Sequence, residues 1–256
     1  MCLIALALDA HPRYRLVLAA NRDEFHERPT APASYWDDAP RVFGGRDLRQ
    51  HGSWLALDTG GRWAAVTNVR RMVPANPEAP SRGGLVAEFV RGDTGAHDYA
   101  ADLAVRASHY AGFNLLVGDT QRVTYVTNQP GGYRSQVLSP GVHAVSNATL
   151  DTPWPKLVRL RRTLTQWCER ADHSVLPLFE ALADTAAATD AELPDTGVGL
   201  ELERFLSPTF IRGGEYGTRA STIIAVTRDG VARFHERRFG PLGQEQGETV
   251  ETLQLG

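Results

Sequence analysis

Cys2 stands directly behind the initiator methionine and opens the apolar run Leu3-Ile4-Ala5-Leu6-Ala7-Leu8. Removal of Met1 leaves a thiol and a free α-amine on one residue, a nucleophile that carries its own general base. The ordinary α-amine pKa is about 7.7–8.0 and that of a thiol about 8.5, so modest tuning lets one deprotonate the other near neutral pH. One hairpin later comes the polar string Asn21-Arg22-Asp23-Glu24. A carboxylate at Asp23 would stabilise the ammonium formed when the amine takes the thiol proton. A guanidinium near such a sulfur would lower the thiol pKa. Asn68 could donate its amide to a developing oxyanion, and one such donor is worth about 2.7–4 kcal/mol in an established site. The chemistry these residue types support is cleavage of an amide.

The elements that must position them read as hairpins. Residues 2–9 and 14–20 are β-rich runs joined across His11-Pro12-Arg13, and the first is apolar on both faces, as in a central covered strand. A Pro-punctuated loop with Pro29, Pro32 and Pro40 follows, then Gly44-Gly45-Arg46-Asp47. A second hairpin covers 53–59 and 62–69, turning at Asp58-Thr59-Gly60-Gly61. Residues 70–84 form a long loop that suits either a lid or a solvated connector. Ser81 is placed to cap a helix over about 83–91, with another near 97–110. Strands recur at 114–118, 122–127, 133–138 and 143–146, followed by helices near 153–171, 174–188 and 199–206. The chain returns to strand at 222–227 and 231–239 across Asp229-Gly230, with a last strand near 248–254. Hairpins dominate, so a regular βαβ alternation is excluded and an α+β class with antiparallel sheets is expected.

Bulk composition narrows the function classes. The net charge of -3 leaves no basic footprint for nucleic acid. Two cysteines, Cys2 and Cys168, provide neither a disulfide framework nor metal-ligand spacing, and the eight histidines show no zincin pairing, so no metal site and no cofactor is expected. No G-x-G-x-x-G follows a strand and no P-loop is present. The N-terminal apolar run lacks a basic region ahead of it and breaks at Asp9, which argues against a secretion signal. No stretch of about 18 apolar residues exists to span a membrane, and the expected compartment is cytoplasmic. Lys156 is the one lysine among 27 basic residues, a bias that codon usage explains. No internal repeat or linker breaks residues 1–256, which read as one domain.

The whole pattern resembles the NRDE family, also called the transport and Golgi organisation 2 family. The resemblance rests on Met1-Cys2, on Asn21 to Glu24, on Gly44 to Asp47 and on Gly52-Ser53-Trp54-Leu55-Ala56. It continues through Val66 to Arg70, Ser81-Arg82-Gly83, Asn114 to Asp119, Val145-Ser146-Asn147, Trp154-Pro155-Lys156 and Tyr216 to Thr222, spanning nearly the whole chain in order. That family is in turn similar to cysteine-type N-terminal nucleophile hydrolases such as choloylglycine hydrolase and penicillin V acylase. The resemblance implies a four-layer αββα sandwich and cleavage of a non-peptide C–N amide bond in a small or lipid-like substrate. It implies Cys2 as nucleophile and Asp23 as the residue that orients its amine. Asn68 would stabilise the oxyanion, Asn147 would sit near the amine and leaving group, and Arg219 near the nucleophile. Asn21, Arg22, Arg70 and Arg82 are the expected substrate-binding residues. One departure stands out: those acylases carry an arginine immediately before the motif asparagine, and this chain has Ala20 there. Arg22 restores the charge on the same face if the strand is regular. The alternative that the family brings is a non-enzymatic carrier or trafficking protein for haem or lipid on the same scaffold, with Cys2 as a haem thiolate ligand. Oligomeric state is open.

Overall fold

A computed structural model describes residues 2–70 and 78–256. The chain begins with the paired strands β1 (Cys2–Leu8) and β2 (Tyr14–Phe25), whose register sets Cys2 opposite Arg22, Leu3 opposite Asn21 and Ile4 opposite Ala20. β2 runs to Phe25, so the polar string at 21–24 lies inside a strand rather than beyond its end. The Pro-punctuated stretch is likewise strand and not loop: β3 (Thr30–Trp36) and β4 (Ala39–Asp47) pair there. β3 is an edge strand with an irregular register between Ala31 and Ser34. A proline such as Pro32 costs no ladder bond in that position.

β5 (Leu55–Asp58), β6 (Trp63–Asn68), β7 (Phe113–Gly118), β8 (Val123–Thr127) and β9 (Arg134–Val137) complete an antiparallel sheet in the order β3-β4-β5-β6-β7-β8-β9. Its outer face carries α1 (Arg82–Arg91) and α2 (Ala96–Leu103). Ser81 precedes α1 as expected but makes no side-chain cap bond. The 70–84 loop falls largely on residues 71–77, outside the described residues.

The second sheet runs β10-β1-β2-β11-β12-β13, with β10 (Gly141–Val145), β11 (Tyr216–Thr227), β12 (Val231–Phe239) and β13 (Glu245–Gln254). Its outer face is covered by α3 (Pro155–Glu169) and α4 (Leu176–Leu182), and α5 (Leu200–Phe205) follows. The α4 helix stops six residues short of the expected 188, and the chain leaves it as irregular backbone.

Three apolar layers follow from strand alternation. Ile4, Leu6, Leu16, Leu18 and Ala20 point between the sheets, against Phe43, Leu55, Leu57 and Phe234. Leu3, Ala5, Ala7, Val17 and Ala19 point the other way, onto Leu157, Leu160, Leu164 and Trp167 of α3. The third layer joins α1 and α2 to the opposite sheet through Leu85, Phe89, Leu115 and Val126. This is an αββα sandwich, α+β in class. β1 is covered on both faces because it lies between β10 and β2 with a layer above and below, which is why its sequence is apolar throughout.

Candidate functional site

The period of two that sorts the core also sorts the polar residues at the strand ends. Cys2 continues the Ile4–Leu6 face and Arg22 continues the Leu18–Ala20 face, so both project between the sheets. As directly opposed partners in an antiparallel pair, their Cβ atoms stand about 4.5–5.5 Å apart. Ala20 is one pair further in, opposite Ile4. The strand is regular here, and Arg22 stands beside the sulfur where Ala20 cannot.

Arg22 is buried yet makes no ion pair among the described residues. Its Nη1 donates to Thr30 Oγ1 at 3.1 Å, and its guanidinium lies 4.2 Å over the Trp54 ring. Trp54 is itself seated by an absent side chain: a Cβ at Gly45 would fall 2.1 Å from the indole. The Gly44-Gly45 motif thus positions the arginine through the tryptophan.

Cys2 is half-buried in a cleft of about 660 Å³, within the range of small-molecule sites. Burial pushes its thiol pKa up, while Arg22 and a hydrogen bond from the Asp23 N–H pull it down. Among the lining residues are Arg22, Asp23, Trp54, Asn68, Arg82 and Tyr216. The backbone oxygen of Cys2 accepts from Ser146 Oγ at 3.1 Å.

Asn68, at the end of β6, reaches the cleft from the opposite sheet. Asn147 Nδ2 donates to the Asn68 backbone oxygen at 2.9 Å and to Asn68 Oδ1 at 3.1 Å. A backbone carbonyl can only accept, which fixes the orientation of the Asn147 amide and in turn that of Asn68. The Asn68 Nδ2 hydrogens are left without a partner among the described residues. Asn147 is fully buried and is not among the residues lining the cleft; it holds Asn68, and its Oδ1 accepts at 3.2 Å from the Ser146 hydroxyl that donates to the Cys2 backbone oxygen.

Asp23 points to the helix side of its sheet. Its Oδ1 accepts from Thr218 Oγ1 at 2.8 Å, and Tyr216 donates to its backbone oxygen at 3.1 Å. Burial raises its carboxyl pKa, and the Lys156 ammonium is the chief opposing influence. Lys156, near the start of α3, is buried, donates to the Leu206 oxygen at 2.9 Å, and is brought down to about 8 by desolvation against the pull of Asp23. Sequence reasoning passed over Lys156, and the signal was its singularity. In a chain otherwise committed to arginine, a lone lysine marks a place where a compact, titratable ammonium is needed.

The remaining expectations divide. Arg82 lines the cleft, donates to the Gly112 oxygen at 3.1 Å, and has no ion pair among the described residues. Its loop is drawn in because a side chain at Gly52 would strike the Gly83 backbone at 2.4 Å. Asn21 does not line the cleft. Its Nδ2 donates to the Leu182 and Thr209 oxygens and its Oδ1 accepts from Ser221, so it ties β2 to the loops behind the sheet. Arg70 is also out of the cleft, buried in a 2.6 Å ion pair with Glu203 and 4.8 Å from the Trp154 ring. Arg219 departs most from expectation. It is the extra residue of a β-bulge, because Thr218 pairs with Asp23 and Ala220 with Arg22. Its Nη1 donates to the Phe25 and Arg28 oxygens at 2.9 and 3.0 Å, on the far side of Arg22 from the thiol. The charge beside the sulfur comes from Arg22.

Comparison with known proteins matches residues 1–241 to the family model described as Transport and Golgi organisation 2. The chain belongs to that family. The Transport and Golgi organization protein 2 homologs of Bos taurus and Homo sapiens are each 34% identical, covering 93% of this chain and 92% of theirs. The Drosophila melanogaster family member is 33% identical over about half of each chain (51% and 52%). Among solved structures, the Caenorhabditis elegans N-acylethanolamine-hydrolyzing acid amidase ortholog superposes with a TM-score of 0.54 at 8% identity, covering 87% of this chain and 92% of that one. The C2A mutant of the conjugated bile acid hydrolase from Clostridium perfringens superposes with a TM-score of 0.53 at 8% identity, covering 98% and 92%. Both likenesses are of fold. This chain shares the architecture of those two proteins.

Proposed function

We propose that this protein is a cysteine-type N-terminal nucleophile hydrolase that cleaves the C–N amide bond of a small or lipid-like substrate, after removal of Met1. The observation that carries the reading is the convergence of Cys2, Arg22 and the uncommitted Asn68 amide on one cleft. In the proposed reaction the Cys2 thiol gives its proton to its own α-amine and the sulfur attacks the amide carbonyl. The oxyanion accepts from Asn68 Nδ2 as the tetrahedral intermediate forms. The C–N bond breaks, the ammonium returns the proton to the departing amine, and a thioester remains on Cys2. Water, deprotonated by the same amine, then releases the acid.

Arg22 favours the thiolate, and Trp54 with Thr30 keeps its guanidinium in place. The buried Asp23 carboxyl beneath the strand end, which feels the Lys156 charge, orients the terminal amine. The fold neighbours, an N-acylethanolamine amidase and a conjugated bile acid hydrolase by name, support an amide substrate class. The test is a panel of N-acyl amides varying in chain length and amine, assayed with wild type and Cys2→Ala. Turnover in the wild type, abolished in C2A, is expected. Equal turnover in both, or none with any acyl amide despite loss of Met1, contradicts the reading and leaves the carrier alternative for haem or lipid.

A further inference from the structure

Behind the Arg22–Trp54 wall lies a second cavity, of about 470 Å³, at the end of the sandwich where β3 meets β12 and β13. Its charged lining among the described residues is Arg22, Arg219, Arg238 and Glu236. Three guanidiniums face one carboxyl, and the engagements of the three are sparse. Arg22 donates to Thr30, Arg219 to two backbone oxygens, and Arg238 to Thr249 Oγ1 at 2.7 Å. The nearest carboxylate contact is the 3.9 Å separation of Arg238 Nη1 from Glu236 Oε1.

Glu236 is the second and independent sign of a ligand. It is 1% exposed, and its Oε1 accepts from the Ala33 N–H at 2.9 Å, joining the two sheets. Its Oε2 is buried and has no hydrogen-bond partner among the described residues. A buried carboxyl oxygen without a partner carries a desolvation cost that a ligand or a proton must relieve. Burial raises the Glu236 pKa, and the Ala33 N–H and the Arg238 and Arg22 charges pull it back.

We propose that this cavity binds a phosphoryl group, held by Arg22, Arg219 and Arg238, with a protonated oxygen of that group donating to Glu236 Oε2. The charge balance favours it over a carboxylate. Three guanidiniums against one carboxyl leave an excess of positive charge that is best matched by a group bearing about -1.5 to -2 at neutral pH, with oxygens for several guanidinium forks. Because Arg22 is shared, a bound phosphoryl group offsets the charge that favours the Cys2 thiolate, and occupancy of the second cavity damps the thiol in the first.

The test is titration calorimetry of the full chain with inorganic phosphate and, separately, glycerol phosphate, at ionic strength held constant with sodium chloride. Saturable binding of either one supports the site. Inorganic phosphate alone assigns it to the free ion, and both together assign it to a phosphate ester. Arg238→Gln should weaken binding about tenfold or more. Gln246→Glu, which adds a carboxylate from an exposed lining position, should do the same without touching the core. Phosphate should also slow alkylation of Cys2 in the wild type and not in R238Q. No binding of either probe, or binding unchanged in the folded Q246E protein, overturns the proposal.

Discussion

The guanidinium beside the sulfur is Arg22, and this choice is testable apart from any substrate. The thiol is raised by burial and by the Asp23 charge and lowered by Arg22, so loss of Arg22 should raise it further. Arg22→Gln is expected to shift the pH dependence of Cys2 alkylation upward by about one unit or more, whereas Arg219→Gln, which removes a clamp on two backbone oxygens, should leave it in place. Equal shifts in both variants would contradict the assignment. Asn68→Ala should reduce kcat about 10²–10³-fold if its amide serves the oxyanion, with substrate KM little changed. Lys156 yields a prediction of definite sign. Its pKa falls from 10.5 when unfolded to about 8 in the fold, so between those values the unfolded chain binds more protons and stability rises with pH. The lysine's cost is full below pH 8 and relieved toward pH 10.5. Chemical denaturation of wild type and Lys156→Met should therefore show the wild type gaining on the variant over that interval.

At the scale of elements, the site depends on strand register and on close approaches. The hairpin of β1 and β2 was legible from two apolar runs around a turn, and with it the pairing of residue 2 with the motif at 21–24. The length of β2 was not legible. Asn21 to Glu24 read as lying just past the strand because polar residues rarely continue a buried strand, yet here loops behind the sheet and Thr218 satisfy Asn21 and Asp23. The same reason hid the strands at 30–47, where prolines marked an edge and not a loop. The place of Arg219 was hidden by a bulge, since one inserted residue re-aims a side chain and leaves no trace in composition. Likewise, nothing in the spacing revealed that Asn147 would be consumed in holding Asn68. The motif glycines make a prediction at this scale. Gly45→Val would place atoms inside the Trp54 ring, so the indole must leave and Arg22 loses its support. The variant should remain folded by circular dichroism, because the strand tolerates valine, while Cys2 alkylation slows toward that of R22Q. Alkylation at the wild-type rate would show that Trp54 does not hold the arginine.

At the scale of the molecule, two antiparallel sheets press an apolar layer between them and leave both polar sites at the end where that layer runs out. The cleft of about 660 Å³ opens beside Cys2, the second cavity lies behind Arg22, and the arginine–tryptophan wall separates them. Among the described residues no helix is long and apolar enough to cross a membrane. The proposed N-terminal nucleophile chemistry has as its defining event a covalent acyl group on the first residue of the processed chain. The most direct measurement is peptide mapping by mass spectrometry of the protein quenched in acid during turnover of an N-acyl amide. The account predicts an N-terminal peptide that begins at Cys2, lacks Met1, and carries the acyl group as a hydroxylamine-labile thioester. An active protein in which Met1 still precedes Cys2, or in which the acyl group is carried on any other residue, would contradict it.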